Sequence, residues 1–499
     1  MKFSRVFFHR AVTALVAASL SLSPSLTLYA QSSLPTLGDD VALTLGAERR
    51  FGDQIGREIY RDPEYVSDPV LDAYLQSIWQ PLYLAAKQNG ALSPEMDEQF
   101  AWHLFLVRDR SINAFALPGA YFGVHLGLMG LVDTPDELAS VLAHELTHVT
   151  QRHIARGMGI QSAQAPLLVG SILLGLLAMR TNPQAANAVL ATGQAGAIQG
   201  QLNYTRAFER EADRIGFTLM QPAGYAPSGF VAMFNKLGNA ARLNDNGSFP
   251  YLRSHPLTTE RISDMAARVG EFARSQSRPQ STDAQDAALL HRLMSARARV
   301  LADLSVDTQK RYAANPANED PVLLYTAALA AWQLKDTVRA HALYARLQAA
   351  LPTSAAPAIM QTIRWLGAEL QLPVALDLRS ELRPEMFYAV IQSMTQAAAL
   401  PAASSRLRDW LAVHPKDAEA WAWQSRVQLA QGLRVRATMS EAESLRAQLD
   451  EPAALARYQI AQSFIRKGEA ADAIDAAIVD SKVRELQSLV RDTSRKPGR

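Results

Sequence analysis

The sequence predicts an α+β domain, mostly helical with a small sheet, followed by an all-α domain of repeated helix pairs. Three observations carry that expectation. Between residues 43 and 219, capped amphipathic segments flank two short runs rich in β-formers. A polar stretch at 274–285, poor in apolar residues, reads as a linker. Beyond it, Ala-rich amphipathic pieces are broken by Pro321, Pro352, Pro357, Pro415 and Pro452 and show no strand pattern. A chain of 499 residues also exceeds the roughly 250–300 residues at which single cores stop growing. The expected division is a leader at 1–30, a first domain at 31–273, a linker at 274–285 and a repeat domain at 286–499.

Lys2, Arg5 and Arg10 give the leader a positive start, Ala11 to Leu28 is largely apolar, and Leu28-Tyr29-Ala30 ends in a small residue. This is the pattern of a secretory signal cleaved after Ala30, and it points to the periplasm. Removing it shifts the formal charge from +2 to −1, a balance that does not suggest a nucleic-acid partner. With no cysteine, an exported chain must be held by its core and any metal it binds.

Residues 43–61 and 69–89 read as helices, punctuated by Asp62-Pro63 and Asp68-Pro69. Phe100 to Val107 and Tyr121 to His125 read as strands, near enough to pair as a hairpin around Pro118-Gly119. Thr134, Pro135 and Glu137 form a capping-box start for a helix expected to run to about Arg156. Leu167 to Met179 is strongly apolar but short for a membrane span, so it reads as a buried or substrate-facing helix, with peripheral membrane contact as the other option. Arg180 to Asn203, rich in Ala, Gly and Gln, reads as a mobile gate, and Tyr204 to Leu219 as a helix. In the second half, Gly432 and Gly468 are each followed five residues later by Ala437 and Ala473. Their spacing lies near the ~34-residue period of tetratricopeptide helix pairs.

The chemistry centres on His144-Glu145-Leu146-Thr147-His148, an HExxH motif. Residues four apart on a helix lie about 40° apart on one face, so the two imidazoles can converge on one ion. Glu145 falls beside them, where it can take a proton from metal-bound water. The flanking residues Val141, Leu142, Ala143 and Val149 are apolar, and two histidines and a carboxylate buried without a partner would be costly. A long motif with Gly and His further on is absent, since those positions hold Gln151 and Ile154. His153, about 180° from His144 on a continuous helix, is expected to face away. The third ligand is expected from Phe208-Glu209-Arg210-Glu211-Ala212-Asp213. Glu209 would ligate, Asp213 one turn on would accept from a ligand histidine's other nitrogen, and Glu211 would be solvated or paired with arginine.

Together with Asn113-Ala-Phe-Ala-Leu-Pro-Gly119, these stretches resemble the zinc metallopeptidases that include HtpX and the CAAX prenyl endopeptidases. The resemblance implies a zincin-like fold with one Zn2+ per chain, held by His144, His148 and Glu209, with Asp213 behind the ligands. It also implies an Asn113-Ala114-Phe115 strand bordering the cleft, where a substrate strand could pair, and Ala120 stands where many relatives carry a second glycine. Ser254-His255-Pro256 to Arg261 is a further matching stretch. His255 is expected either to stabilise the oxyanion or to fill the open metal position and keep the enzyme latent, and Arg261 to be a structural ion-pair partner. The implied role is outer-membrane protein quality control in the periplasm. Unfolded or stalled outer-membrane proteins would be substrates, and the repeats could meet the β-barrel assembly machinery. The competing expectation is a non-proteolytic chaperone or adaptor whose metal is latent or structural.

Overall fold

In the computed structural model the described residues are 43–159, 195–243, 250–275, 282–352, 354–469 and 472–494. The expected leader and the apolar stretch Leu167–Met179 lie outside them. The chain opens with α1 (Leu45–Arg61), capped by Thr44, and α2 (Pro69–Gln88), capped by Asp68 with Pro69 at the first turn. Between them lies the two-residue strand β1, Tyr65–Val66. A short α3 (Pro94–Gln99) precedes β2 (His103–Val107), so the expected strand at Phe100 begins three residues late. Phe100 caps α3, and Trp102 takes a φ of 49° that no strand allows.

The expected hairpin is corrected. β4 (Tyr121–His125) pairs with β2 in parallel, and its antiparallel partner is β3, Ala114–Leu117. Gly119 and Ala120 have φ of 73° and 62°, so the turn reverses the chain between Leu117 and Tyr121. A parallel pair needs a crossover, and residues 108–120, β3 included, supply it. The sheet order is β1-β2-β4-β3, which leaves β3 at an edge.

After α4 (Leu126–Leu131) comes α5, Pro135–Thr150, the helix of the HExxH motif. Thr134 Oγ1 accepts from the Glu137 amide at 3.2 Å, and Glu137 Oε2 accepts from the Asp133 amide at 2.8 Å. Every residue from Glu137 to Thr150 is buried. The expected run to Arg156 does not occur. Arg152 adopts a φ of 52° and α6 restarts at His153. The bend is held by the Arg152 guanidinium, 2.9 Å from Glu48 Oε2 and 2.6 Å from the Leu43 carbonyl oxygen.

Helix α7 spans Ala195–Met220. Residues 195–203, expected to belong to a gate, are its first turns, because Ala and Gln favour helix once a longer segment nucleates it. It crosses α5 where a Cβ on Gly216 would meet the Ala143 carbonyl carbon at 3.1 Å. α8 (Ser228–Leu243), α9 (Pro250–Ser254) and α10 (Thr259–Ser275) complete the shell around α5 and α7.

α11 (Thr282–Ala302) starts inside the expected linker and packs on α4, and its apolar face joins the core of the first half. The described residues after it are all helical where regular. Two smaller cores follow, around Phe387, Leu407 and Trp410, then around Tyr458, Val479 and Leu486. Consecutive helices Ala418–Ala430, Arg434–Ala447 and Glu451–Arg466 pack on one another. Among the described residues, no helix is long and apolar enough to cross a membrane.

Candidate metal centre

α5 and α7 carry the site. Because α5 is buried on all sides, His144 and His148 cannot turn to water, and they point together toward α7. Their Nε2 atoms lie 3.0 Å apart. Glu209 Oε2 is 3.2 Å from His144 Nε2, and its Oε1 is 3.3 Å from His148 Nε2. His255, following α9, brings Nδ1 to 3.0 Å from Glu209 Oε1 and 3.3 Å from His144 Nε2. One atom from each of these four buried residues lies within 4.8 Å of all the others. A tetrahedral shell with metal–nitrogen bonds of roughly 2.0–2.1 Å has its donors about 3.3 Å apart. The neighbouring donor separations match it.

Behind the donors, Asp213 Oδ1 lies 2.9 Å from His144 Nδ1. Arg261 binds Asp213 through Nε and Nη2 at 2.6 and 2.8 Å, and its Nη1 lies 3.0 Å from Glu209 Oε2. Tyr251, fully buried, stacks on His255 at 4.5 Å between ring centroids. Glu145 sits outside the four-donor cluster. Both its carboxylate oxygens are buried without a hydrogen-bond partner, and the nearer approaches His255 Nε2 at 3.4 Å. A buried carboxylate without a hydrogen-bond partner beside a His-His-Glu-His cluster fits a metal-bound reactant better than a static fold element. The residues present therefore fit a divalent transition metal.

Charge follows the same layout. Burial alone would lower His144, but the Glu209 and Asp213 carboxylates outweigh it and hold the imidazolium up to about 10. Burial pushes His148 down to about 4, against the pull of Glu209. Glu209 itself stays well below the usual carboxylate range despite burial, because His255 and His144 face it. A metal ligand must be unprotonated, so loading near neutral pH has to displace the His144 proton, whereas His148 is already neutral. Metal uptake at pH 7.5 should therefore displace the His144 proton, and apparent affinity should fall as pH drops below about 10. Calorimetric titration in two buffers of different ionisation enthalpy checks the release.

The structure thus brings together His144, Glu145, His148, Glu209, Asp213 and His255, with Arg261 as an ion-pair partner. Ala114 and Phe115 lie on β3, which packs on α5, and Asn113 immediately precedes it. Ala114 is buried, and the Phe115 ring lies over Gly123 and edge-on to His125 at 5.9 Å. His153 is the correction. Far from facing away, it is buried with Nδ1 2.9 Å from His148 Nδ1, because the bend at Arg152 swings it inward. Glu211 is partnered by His153 and Arg156, so its expected arginine is present and the histidine is additional. Tyr251 and Arg152 were not foreseen. A positively charged residue at a left-handed position leaves no trace in sequence periodicity.

Comparison with known proteins agrees with this chemistry. Residues 70–269 match Peptidase family M48. The β-barrel assembly-enhancing protease of Yersinia pestis is 28% identical over 476 residues, 93% of each chain. The protein of that name from Escherichia coli strain K12 is 34% identical over 52% of each chain. That match, and one to a Vibrio cholerae relative at 35% identity, span about half the length of those proteins. The mitochondrial metalloendopeptidase OMA1 of Saccharomyces cerevisiae is 27% identical over 39% of this chain and 55% of its own.

Proposed function

Because the chain belongs to peptidase family M48 through residues 70–269, we propose that it is a zinc-dependent endopeptidase acting on misfolded or stalled outer-membrane proteins in the periplasm. The observation that carries the reading is the buried Glu145 carboxylate, without a hydrogen-bond partner, beside four converging donors. His144, His148 and Glu209 would hold Zn2+, whose preference for nitrogen and carboxylate donors in a tetrahedral shell suits this set. When bound, the ion polarises the scissile carbonyl and acidifies the attacking water. Glu145 receives the water's proton and returns it to the leaving amine. Asp213 orients His144 from behind, and Arg261 neutralises the Asp213 and Glu209 carboxylates that would otherwise repel across the site. Ala114 and Phe115 on the edge strand beside α5, with Asn113 just before it, would pair with an extended substrate segment.

The periplasmic setting rests on the leader pattern at residues 1–30, and the link to β-barrel assembly on the names of the bacterial relatives. The helices after residue 286 would act as tetratricopeptide-like repeats that recruit clients or the β-barrel assembly machinery. Chelation followed by dialysis should abolish casein cleavage, and Zn2+ should restore it; cleavage that survives complete metal removal would overturn the reading.

One observation favours a second reading. His255 completes a four-donor shell and its other nitrogen touches Glu145, which is the arrangement of a closed site rather than an open one. His255 would then be a fourth ligand that keeps the enzyme latent, rather than an oxyanion donor. His255→Ala is expected to retain zinc and to raise basal casein cleavage several-fold. A fall in cleavage with zinc retained would assign His255 to the oxyanion. A chaperone or adaptor role without proteolysis would be favoured if zinc-loaded wild type and His255→Ala both leave client proteins intact.

A further inference from the structure

The bend after Thr150 creates a contact that the peptidase reading does not use. His153 is 4% exposed, with Nδ1 2.9 Å from Nδ1 of His148 and Nε2 3.0 Å from Oε2 of Glu211. Phe208 stacks on the His153 ring at 4.3 Å and 12°. The Arg156 guanidinium lies 4.8 Å over Phe208 and donates to Glu211 at 3.1 Å. Ring and carboxylate are both held in place by their surroundings.

Counting protons fixes the direction of the chain. His148 presents Nε2 to the cluster, 3.0 Å from His144 Nε2 and 3.3 Å from Glu209 Oε1. A ligating nitrogen carries no proton, so the neutral ring carries its proton on Nδ1. Two nitrogens at hydrogen-bond distance need one donor and one acceptor. His148 Nδ1 therefore donates to His153 Nδ1, and His153 carries its own proton on Nε2, facing a Glu211 carboxylate that can only accept. The reverse order would place a proton on His148 Nε2, the atom turned toward the other donors.

We propose that His153 is a positioning residue for the metal ligand His148, the middle member of a His148–His153–Glu211 chain that fixes the ring and tautomer of His148. The proposal rests on the metallopeptidase reading, in which His148 is a ligand. Asp213 serves His144 through one direct contact, whereas His148 reaches its carboxylate through an intervening imidazole. The backbone makes this possible: on an unbroken helix His153 would sit about 140° from His148, and the left-handed Arg152 brings it beside the ligand instead.

The test uses the full chain as wild type, His153→Phe, His153→Asn and Glu211→Gln. Zn2+ affinity is read by chelator competition, and site geometry by the absorption spectrum of the Co2+-substituted protein. Phe keeps a ring against Phe208 but cannot accept a hydrogen bond, whereas the Asn amide oxygen can take the place of Nδ1. His153→Phe should lose about 10–100-fold in affinity with a shifted Co2+ spectrum. His153→Asn should recover most of the affinity and the wild-type spectrum, which a purely structural role for the ring would not predict. Glu211→Gln should fall between them. His153→Phe binding within twofold of wild type, or His153→Asn binding as weakly as His153→Phe, would overturn the proposal while leaving the metallopeptidase reading intact. A wild-type protein that takes up neither ion would overturn both.

Discussion

Glu145→Gln should keep its full complement of metal while casein cleavage falls by about a thousandfold or more, within the range that general acid–base catalysis contributes. Metal retention follows from geometry. The four converging donors are His144, His148, Glu209 and His255, and Glu145 stands outside them with only His255 Nε2 close, at 3.4 Å. Loss of cleavage follows from chemistry, because an amide of the same shape cannot accept the proton of the attacking water. Stability should change little, since neither carboxylate oxygen holds a protein partner that the substitution would strand. Glu209→Gln is the contrasting control. It removes the anion that faces His144, His148 and His255, so it should lose metal and activity together. Metal analysis beside a cleavage assay separates the two cases, and near-wild-type cleavage by metal-loaded Glu145→Gln would remove Glu145 from the mechanism.

What could be read from the sequence was whatever depends on local period and chemistry. HExxH sits on a helix whose cap, Thr134 with Pro135 and Glu137, is written in four consecutive residues, and the Glu209 and Asp213 spacing needs only the 3.6-residue turn. What escaped was set by distant contacts. The end of α5 depends on Arg152 reaching Glu48 and Leu43, more than a hundred residues away in sequence, so the inward turn of His153 could not be inferred from its own neighbourhood. Parallel pairing of β2 with β4 likewise reflects the whole sheet, whereas the Pro118-Gly119 turn suggests a hairpin without naming the strand that precedes it. In the second half, Gly432 and Gly468 were visible because each takes a left-handed φ, 79° and 82°, just past a helix end. At Lys335, Gln371 and Leu449 the same conformation, φ between 61° and 64°, is held by side-chain-bearing residues, which erases the glycine signal.

The second large effect belongs to a residue with no sequence motif at all. Arg297, 1% exposed on α11, donates to Asp68 through Nε at 2.9 Å and Nη2 at 2.6 Å, approaches Glu369 at 2.8 Å and reaches the Tyr325 hydroxyl at 3.2 Å. Asp68 is also the cap of α2, accepting from the Leu71 amide at 2.8 Å. One guanidinium therefore joins the start of α2 to α11 and to the helices Pro321–Gln333 and Pro357–Glu369. Arg297→Met fills much the same volume but leaves the Asp68 carboxylate buried without its cation, and such a loss costs about 3–5 kcal/mol. Urea unfolding of the metal-loaded chain should show that drop. Adding Asp68→Asn should recover most of it, because the amide oxygen still caps α2 while the stranded charge is gone. If Arg297→Met changes stability by less than about 1 kcal/mol, the buried cluster does not join the two halves. If the double variant fails to recover, the loss comes from packing around the aliphatic stem rather than from the stranded carboxylate. The expected recovery would assign the loss to the stranded Asp68 carboxylate, buried where α2 and α11 contribute apolar side chains to one core.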